Sequence, residues 1–208
     1  RSCTASVKLF LNFVTSAAKK WSSDLSSLFE LAVPDPFSKI IGHQKIVDVL
    51  RRQRENGRVV HAYLFVGPEG VGRSTVASEL LGANVTKVTR NADEKTGKLK
   101  SAVSVDQIRE LRDTLAHTSL SGGTKTVFVE EADWLNAAAA NALLKTLEEP
   151  RGDTLIILRA PTVESVPATI ASRCQVIRFG FVSADVIATS LVRRGIDKRD
   201  EVRVVLDQ

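Results

Sequence analysis

The stretch AYLFVGPEGVGRSTVASELL, residues 62 to 81, constrains the fold more than any other part of the chain. Its first five residues form an unbroken apolar run ending at Gly67, which predicts a strand buried on both faces. Such a strand needs helices packed above and below it, so a layered α/β arrangement is the expected solution. Residues 74 to 81 read as the helix that follows. Between strand and helix, GPEGVGRST (67 to 75) is one residue short of the pattern G-x-x-x-x-G-K-[ST], with Arg73 standing where the pattern has lysine.

Strand, glycine loop and helix in this order are the context of a phosphate cradle. Glycines let backbone N–H groups approach the phosphates, and the helix N-terminus favours negative charge. Gly67, Gly70 and Gly72 supply the turn, Ser74 carries the hydroxyl expected on Mg²⁺, and Thr75 follows it. Arg73 fits this scheme poorly, because a lysine ammonium is a compact point charge while a guanidinium is broad and planar. A strand-to-helix turn with no ligand is the competing reading. The second half of a nucleotide site would be an acidic residue closing a buried strand to hold Mg²⁺ and a second carboxylate to orient water. TVFVEEAD (126 to 133) places Glu130 and Glu131 there, with Asp133 beyond them, and Glu130 is longer than the usual aspartate.

From about residue 37 onward, short apolar runs alternate with helical patterns, as βαβ units around a parallel sheet require. Residues 84 to 90 (NVTKVTR) alternate as an edge strand, and NADEKTGKLK reads as a loop. Ser104 and Gln107 form a capping-box pattern before a helix over 105–116 whose face is Ile108, Leu111 and Leu115. SGG (121 to 123) precedes the strand of TVFVEEAD, Asn136 caps an alanine-rich helix running to Glu149, and Pro150 stops it. DTLIILRA (153 to 160) and CQVIRF (174 to 179) complete the strands, and after Gly180 the pattern is helical only. The expected fold class is α/β, a three-layer parallel sheet with helices on both faces followed by the start of a small helical lid domain. The expected domains are an unassigned segment 1–36, the α/β domain 37–181 and the lid 182–208.

Composition narrows the function classes. A chain of 208 residues with 43% hydrophobic and 25% charged residues suits one globular domain or one and a half. Cys3 and Cys174 lie far apart without a CxxC or Cys/His cluster, which argues against a disulfide framework and against zinc and makes a reducing cytoplasm the expected compartment. No apolar run reaches the roughly 18 to 20 residues needed to span a bilayer. LFLNFV (9 to 14) has the outline of a signal segment but is short, and Lys19 and Lys20 follow it without a cleavage site. The lack of methionine, position 1 included, is what a fragment or processed chain shows. Net charge is +5, and Lys39, Lys45, Arg51, Arg52, Arg54 and Arg58 cluster against Asp48 and Glu55. This segment reads equally as a polyanion contact and as the solvated face of a helix whose apolar stripe is Ile46, Val47 and Leu50.

IIGHQKIVDVL (40 to 50), HAYLFVGPEGVGRST (61 to 75), VDQIRELRD (105 to 113), EEADWLNAAAANALLKTLEEP (130 to 150) and SRC (172 to 174) together resemble the clamp-loader subunits of bacterial DNA polymerase III, members of the AAA+ family. The resemblance covers residues 37 to about 200. The altered loop is most similar to that of the delta-prime subunit, rather than the ATP-hydrolysing gamma/tau subunit. The resemblance implies a stator: Arg173, matching the arginine of SRC, would act as a finger in trans on a neighbour's ATP, although an exposed arginine before a strand is common. It further implies that Ile41 and Gly42 line the adenine pocket, unless Ile41 is core. Glu130 and Glu131 with the loop would form a degenerate nucleotide site, open at most to weak ATP, ADP or phosphate with Mg²⁺. The family's polar sensor has no clean match in Arg159, Ala160 and Pro161. VDQIRELRD matches the helix near the clamp-facing surface.

The implied partners are the gamma/tau and delta subunits, the sliding clamp and primer-template DNA, with no membrane. Many relatives carry a four-cysteine zinc module after the loop helix. Here NVTKVTRNADEKTGKLK stands in its place, so no zinc is expected, and no residue is assigned as a metal ligand. Residues 1–36 match nothing in the family, and no segment matches the collar domain that assembles the pentamer, which puts assembly by the chain alone in doubt. Two alternatives stay open: a working gamma/tau-type ATPase, and a DNA-binding scaffold using residues 37–60. Cys174, His43, His61 and His117 read as structural, and Trp21 and Trp134 as isolated aromatics, too few for a base-stacking platform.

Overall fold

The computed structural model describes residues 36–93, 96–117, 124–150 and 152–195. The chain divides into two compact units, Arg1–Ser38 and Lys39–Gln208. The expectations for residues 1–35, for SGG and for the side chain of His117 lie outside the described residues. The second unit is built on five strands, β1 (Ala62–Val66), β2 (Val85–Val88), β3 (Lys125–Val129), β4 (Thr154–Ala160) and β5 (Gln175–Arg178). Among the described residues six α-helices accompany them: α1 (Gln44–Glu55), α2 (Arg73–Leu81), α3 (Val105–His117), α4 (Ala137–Glu148), α5 (Ala168–Ala171) and α6 (Ala184–Arg193).

The sheet runs in the order β2-β3-β4-β1-β5, and every pairing is parallel. Parallel neighbours need crossovers, and these are right-handed. The step from β1 to β2 runs one way along the sheet, whereas β2 to β3, β3 to β4 and β4 to β5 run the other way. The first crossover therefore sets α2 on one face, and the rest set α3, α4 and α5 on the opposite face.

Side-chain burial agrees with this division. Leu64, Val127, Ile156 and Leu158 share one cluster with Ile108 and Leu111 of α3, Leu143 and Leu147 of α4, and Ile170 of α5. The alternate positions Tyr63, Phe65, Phe128 and Ile157 are equally buried, on the side where α2 packs against β3 and β4. The Tyr63 hydroxyl donates to Gln53 Oε1 at 2.7 Å, which ties α1 to this face, and burial raises its pKa. Both faces of β1 are thus covered, as its unbroken apolar run requires.

Local signals account for the element ends. Asn136 Oδ1 accepts the Ala139 N–H at 2.8 Å and caps α4. Gln107 Oε1 accepts the Ser104 N–H at 3.0 Å, while Ser104 Oγ accepts the Gln107 N–H at 3.4 Å, a reciprocal capping box at the start of α3. The segment expected to be a plain loop after β2 is partly a narrow hairpin: Ala92 bridges Leu99, and the Asp93 N–H donates to the Lys98 carbonyl at 2.8 Å. Its polar composition hid this pairing, because an exposed isolated bridge buries no apolar face that a pattern could reveal.

Leu64 is fully buried at the centre of the sheet. Leu64→Ala is expected to lower the unfolding free energy by about 3 kcal/mol, within the range for buried leucines. Urea unfolding followed by circular dichroism checks this, and a loss below about 1 kcal/mol would contradict the placement of the core.

Candidate functional site

In a parallel α/β sheet the loops after the carboxyl ends of the strands converge, and ligands bind there. Val66, Val129, Ala160 and Arg178 end their strands at this edge. Gly67 leaves β1 with φ 148°, and a Cβ at this position would lie 2.4 Å from the Phe179 carbonyl oxygen, so no side chain fits. Its N–H donates to the Pro161 carbonyl at 3.0 Å. Gly70 and Gly72 also have positive φ, 74° and 93°, although open space surrounds them, so conformation rather than crowding demands glycine. Gly72 caps α2 without a side-chain hydrogen bond. The backbone half of a phosphate cradle is therefore present: a glycine turn leading into a helix N-terminus. Thr75 is exposed on the first turn of that helix.

The side-chain half is arranged differently. Arg73 is only 6% exposed and turns inward, its Nη1 donating to the Ala160 carbonyl at the end of β4. Desolvation lowers its pKa, and the nearby charge of Arg159 lowers it further. Arg159 sits on β4 in register with Phe65. Its Nη1 donates to Ser74 Oγ at 2.8 Å and its Nε to the Glu130 carbonyl at 2.7 Å. The hydroxyl that the sequence motif assigns to Mg²⁺ is thus already bonded to a guanidinium.

The two acidic candidates are also engaged. Glu130 points its carboxylate toward Lys87 on the edge strand, 3.4 Å from Nζ. Glu131 accepts from Arg90 Nε and Nη2 at 3.1 and 2.8 Å, from the Arg90 N–H at 2.9 Å and from Thr89 Oγ1 at 2.9 Å. The hydrogen bonds from the Arg90 side chain lead in holding the Glu131 carboxyl down at about 2. Arg90 in turn lies over the Trp134 ring, 4.0 Å from its centroid, so this aromatic is not isolated.

Ile41 and Gly42 enter from before α1 and are half-buried. Gly42 has φ 74°, and a Cβ there would meet the Val182 side chain at 2.6 Å, which packs this turn against the segment after β5. His43, also at positive φ, reaches the Val71 carbonyl through Nε2 at 2.6 Å and stands edge-on to Phe179. A carbonyl can only accept, so Nε2 carries the proton. Arg173 is apart from the loop, exposed at the turn between α5 and β5, with Nη1 on the Thr169 carbonyl at 2.8 Å and Nη2 on Glu148 at 2.5 Å. The structure therefore brings the glycines, Arg73, Ser74 and Glu130 together, joins Glu131 to Arg90, and leaves Arg173 at a separate surface. Burial of Cys174 pushes its thiol up to about 12, well away from reactive thiolate chemistry.

Arg159 and Arg90 were missed as functional residues by sequence reasoning. One signal existed for Arg159: it is a lone charge inside the run LIILRA, and a charged residue in a buried strand needs a partner.

The Glu131 carboxyl titrates far below its usual value in the folded chain, so its contribution to stability is present above the unfolded-state pKa and is lost as pH falls toward about 2. The stability gap between the wild type and Glu131→Gln is therefore expected to be full above about pH 5 and to close on acidification. Denaturation midpoints measured from pH 7 to pH 2.5 check this, and a gap independent of pH would contradict the clamp.

Comparison with known proteins adds a lineage to this geometry. A family described as DNA polymerase III, delta subunit, matches residues 83–182. The DNA polymerase III subunit gamma of Buchnera aphidicola (from Schizaphis graminum) is 31% identical over 189 residues, 81% of this chain and 52% of that protein. The delta' subunit of Haemophilus influenzae is 50% identical over a shorter stretch of 74 residues, 36% of this chain and 23% of that protein. This chain thus spans about half or less of the length of these relatives. Among solved structures, a gamma subunit-related protein of Thermotoga maritima superposes with a TM-score of 0.55 at 20% identity, covering 76% of this chain and 56% of that one. The Thermotoga maritima RuvB branch migration motor gives 0.54 at 20% identity, covering 78% and 54%. These structural likenesses show the same α/β fold.

Proposed function

We propose, from the premise that this chain belongs to the clamp-loader subunits of DNA polymerase III of the gamma, tau and delta-prime kind, that it serves as a delta-prime-like stator with no ATP turnover of its own. The observation that carries the reading is the inward turn of Arg73: the cation that opens α2 is buried and directed at the Ala160 carbonyl within the fold rather than aimed along the loop. A phosphoryl-transfer site needs a free cation and a free carboxylate at the phosphates. Here Arg73 and Glu131 are both held by intramolecular bonds.

In this reading Arg173 completes a neighbouring subunit's ATP site. Its exposed place supports that role, because α5 packs on α4, and β5 pairs directly with the central strand β1. The arginine therefore stands on a rigid base. The two bonds to Thr169 and Glu148 use part of a guanidinium with five N–H donors, leaving capacity for charge spread over phosphoryl oxygens. Partners would be the gamma/tau and delta subunits, the sliding clamp and primer-template DNA, within the cytoplasm. No described helix is long and apolar enough to cross a membrane.

Reconstitution with a hydrolysing partner subunit tests the reading. Arg173→Ala is expected to lower DNA-stimulated hydrolysis by about 10³-fold, in line with arginine fingers elsewhere, and Arg173→Lys not to restore it. The isolated chain is expected to show no turnover with Mg·ATP. An unchanged rate in Arg173→Ala would remove the stator reading. Turnover by the isolated chain would instead favour a gamma/tau-type ATPase, a reading that gains weight from the longer alignments with gamma and tau subunits.

A further inference from the structure

We infer that Arg159 is the resident cation of this loop, occupying the place the motif reserves for magnesium and keeping a divalent metal out. The inference rests on the family reading only in expecting a metal at this place; the exclusion itself follows from the side chains.

Magnesium demands a near-octahedral set of oxygens at roughly 2.0–2.1 Å, and in phosphate loops one of them is the hydroxyl of the first helical turn. That hydroxyl belongs to Ser74, and it accepts from Arg159 Nη1 at 2.8 Å. A metal bound to Ser74 Oγ would face the guanidinium across a single oxygen, a like-charge contact in a partly buried place. The second protein ligand would come from the end of β3. There the Glu130 carbonyl is taken by Arg159 Nε at 2.7 Å, while its carboxylate is turned to Lys87. Glu131 has Oε1 engaged by the Arg90 guanidinium and Oε2 by the Arg90 N–H and Thr89 Oγ1, and cannot swing in without breaking a charged pair.

The local charge points the same way. The nearby charge of Arg159 disfavours that of Arg73, and among the described residues neither forms an ion pair with a carboxylate within 4.0 Å. Two guanidiniums beside a helix N-terminus already make this corner positive. A divalent cation would add to the repulsion, which Glu69 and Asp133 oppose more weakly, each acting on Arg73 less than Arg159 does. Arg159 does the structural work of the metal, bridging α2 to the end of β3, and does so permanently.

The test uses Mn²⁺ as a spectroscopic stand-in for Mg²⁺ on the full chain. Electron paramagnetic resonance of Mn²⁺ without nucleotide is expected to be unchanged by the wild type, and any ATP binding seen by calorimetry is expected to agree within about twofold between Mg²⁺ and EDTA. Arg159→Ala is expected to bind Mn·ATP at least about tenfold more tightly than metal-free ATP, a gain that a second change, Ser74→Ala, abolishes. Arg159→Gln carries the same comparison should Arg159→Ala fail to fold, because it retains a donor for Ser74 without the charge. Mn²⁺ bound by the wild type and lost in Ser74→Ala would overturn the inference, as would folded Arg159 variants with no metal gain. Neither result bears on Arg173, whose role in the assembled complex stands or falls by hydrolysis in the reconstituted partner.

Discussion

The central parallel ladder carries the rest of this structure. β1 lies between β4 and β5, in register with both, and its five residues are buried on both faces. With the strand immobilised in this way, the direction in which the chain leaves it is also set. Gly67 passes against the Phe179 carbonyl from the end of β5 and bonds to the Pro161 carbonyl from the end of β4. Three neighbouring strands therefore shape the loop jointly, and α2 starts from a position that the sheet has already determined. The loop geometry of a phosphate cradle follows here from sheet packing.

Around that loop, the polar side chains satisfy one another. Arg73 bonds to the Ala160 carbonyl, Arg159 joins Ser74 to the end of β3, and Arg90 holds Glu131 while stacking on Trp134. Catalytic groups are characteristically left with capacity directed at a substrate, and their pKa values are brought toward the working pH. Glu131 is displaced the opposite way, down to about 2, which suits a permanent ion pair and not a proton acceptor. The corner is thus organised for rigidity. In the stator reading proposed above, presenting Arg173 to a neighbour would benefit from that property, since placement of a charge is of use only when its base does not move.

Much of the fold was legible because the signals that encode it are short-ranged. The apolar runs that became β1 and β4, the Ile108–Leu111–Leu115 stripe of α3, and the caps at Ser104 and Asn136 each lie within a dozen residues of the element they define. The glycines of the loop were readable for the same reason, since positive φ is a local demand. The hairpin at Ala92 and Leu99 was not readable, because its pairing is exposed and polar.

The sequence by itself determined that a doubly covered parallel sheet would form, that a glycine turn would join β1 to α2, and that lysine would be missing from it. Only the tertiary structure decided what the arginines do. Ser74 and Arg159 are 85 residues apart, and Arg90 and Glu131 are 41 apart. Whether such groups meet depends on the order β2-β3-β4-β1-β5 and on the register that sets Val129 beside Leu158 and so Glu130 beside Arg159. Periodicity and turn chemistry act along the chain, whereas a hydrogen bond between strand ends is fixed by crossovers that bring distant segments to one edge of the sheet.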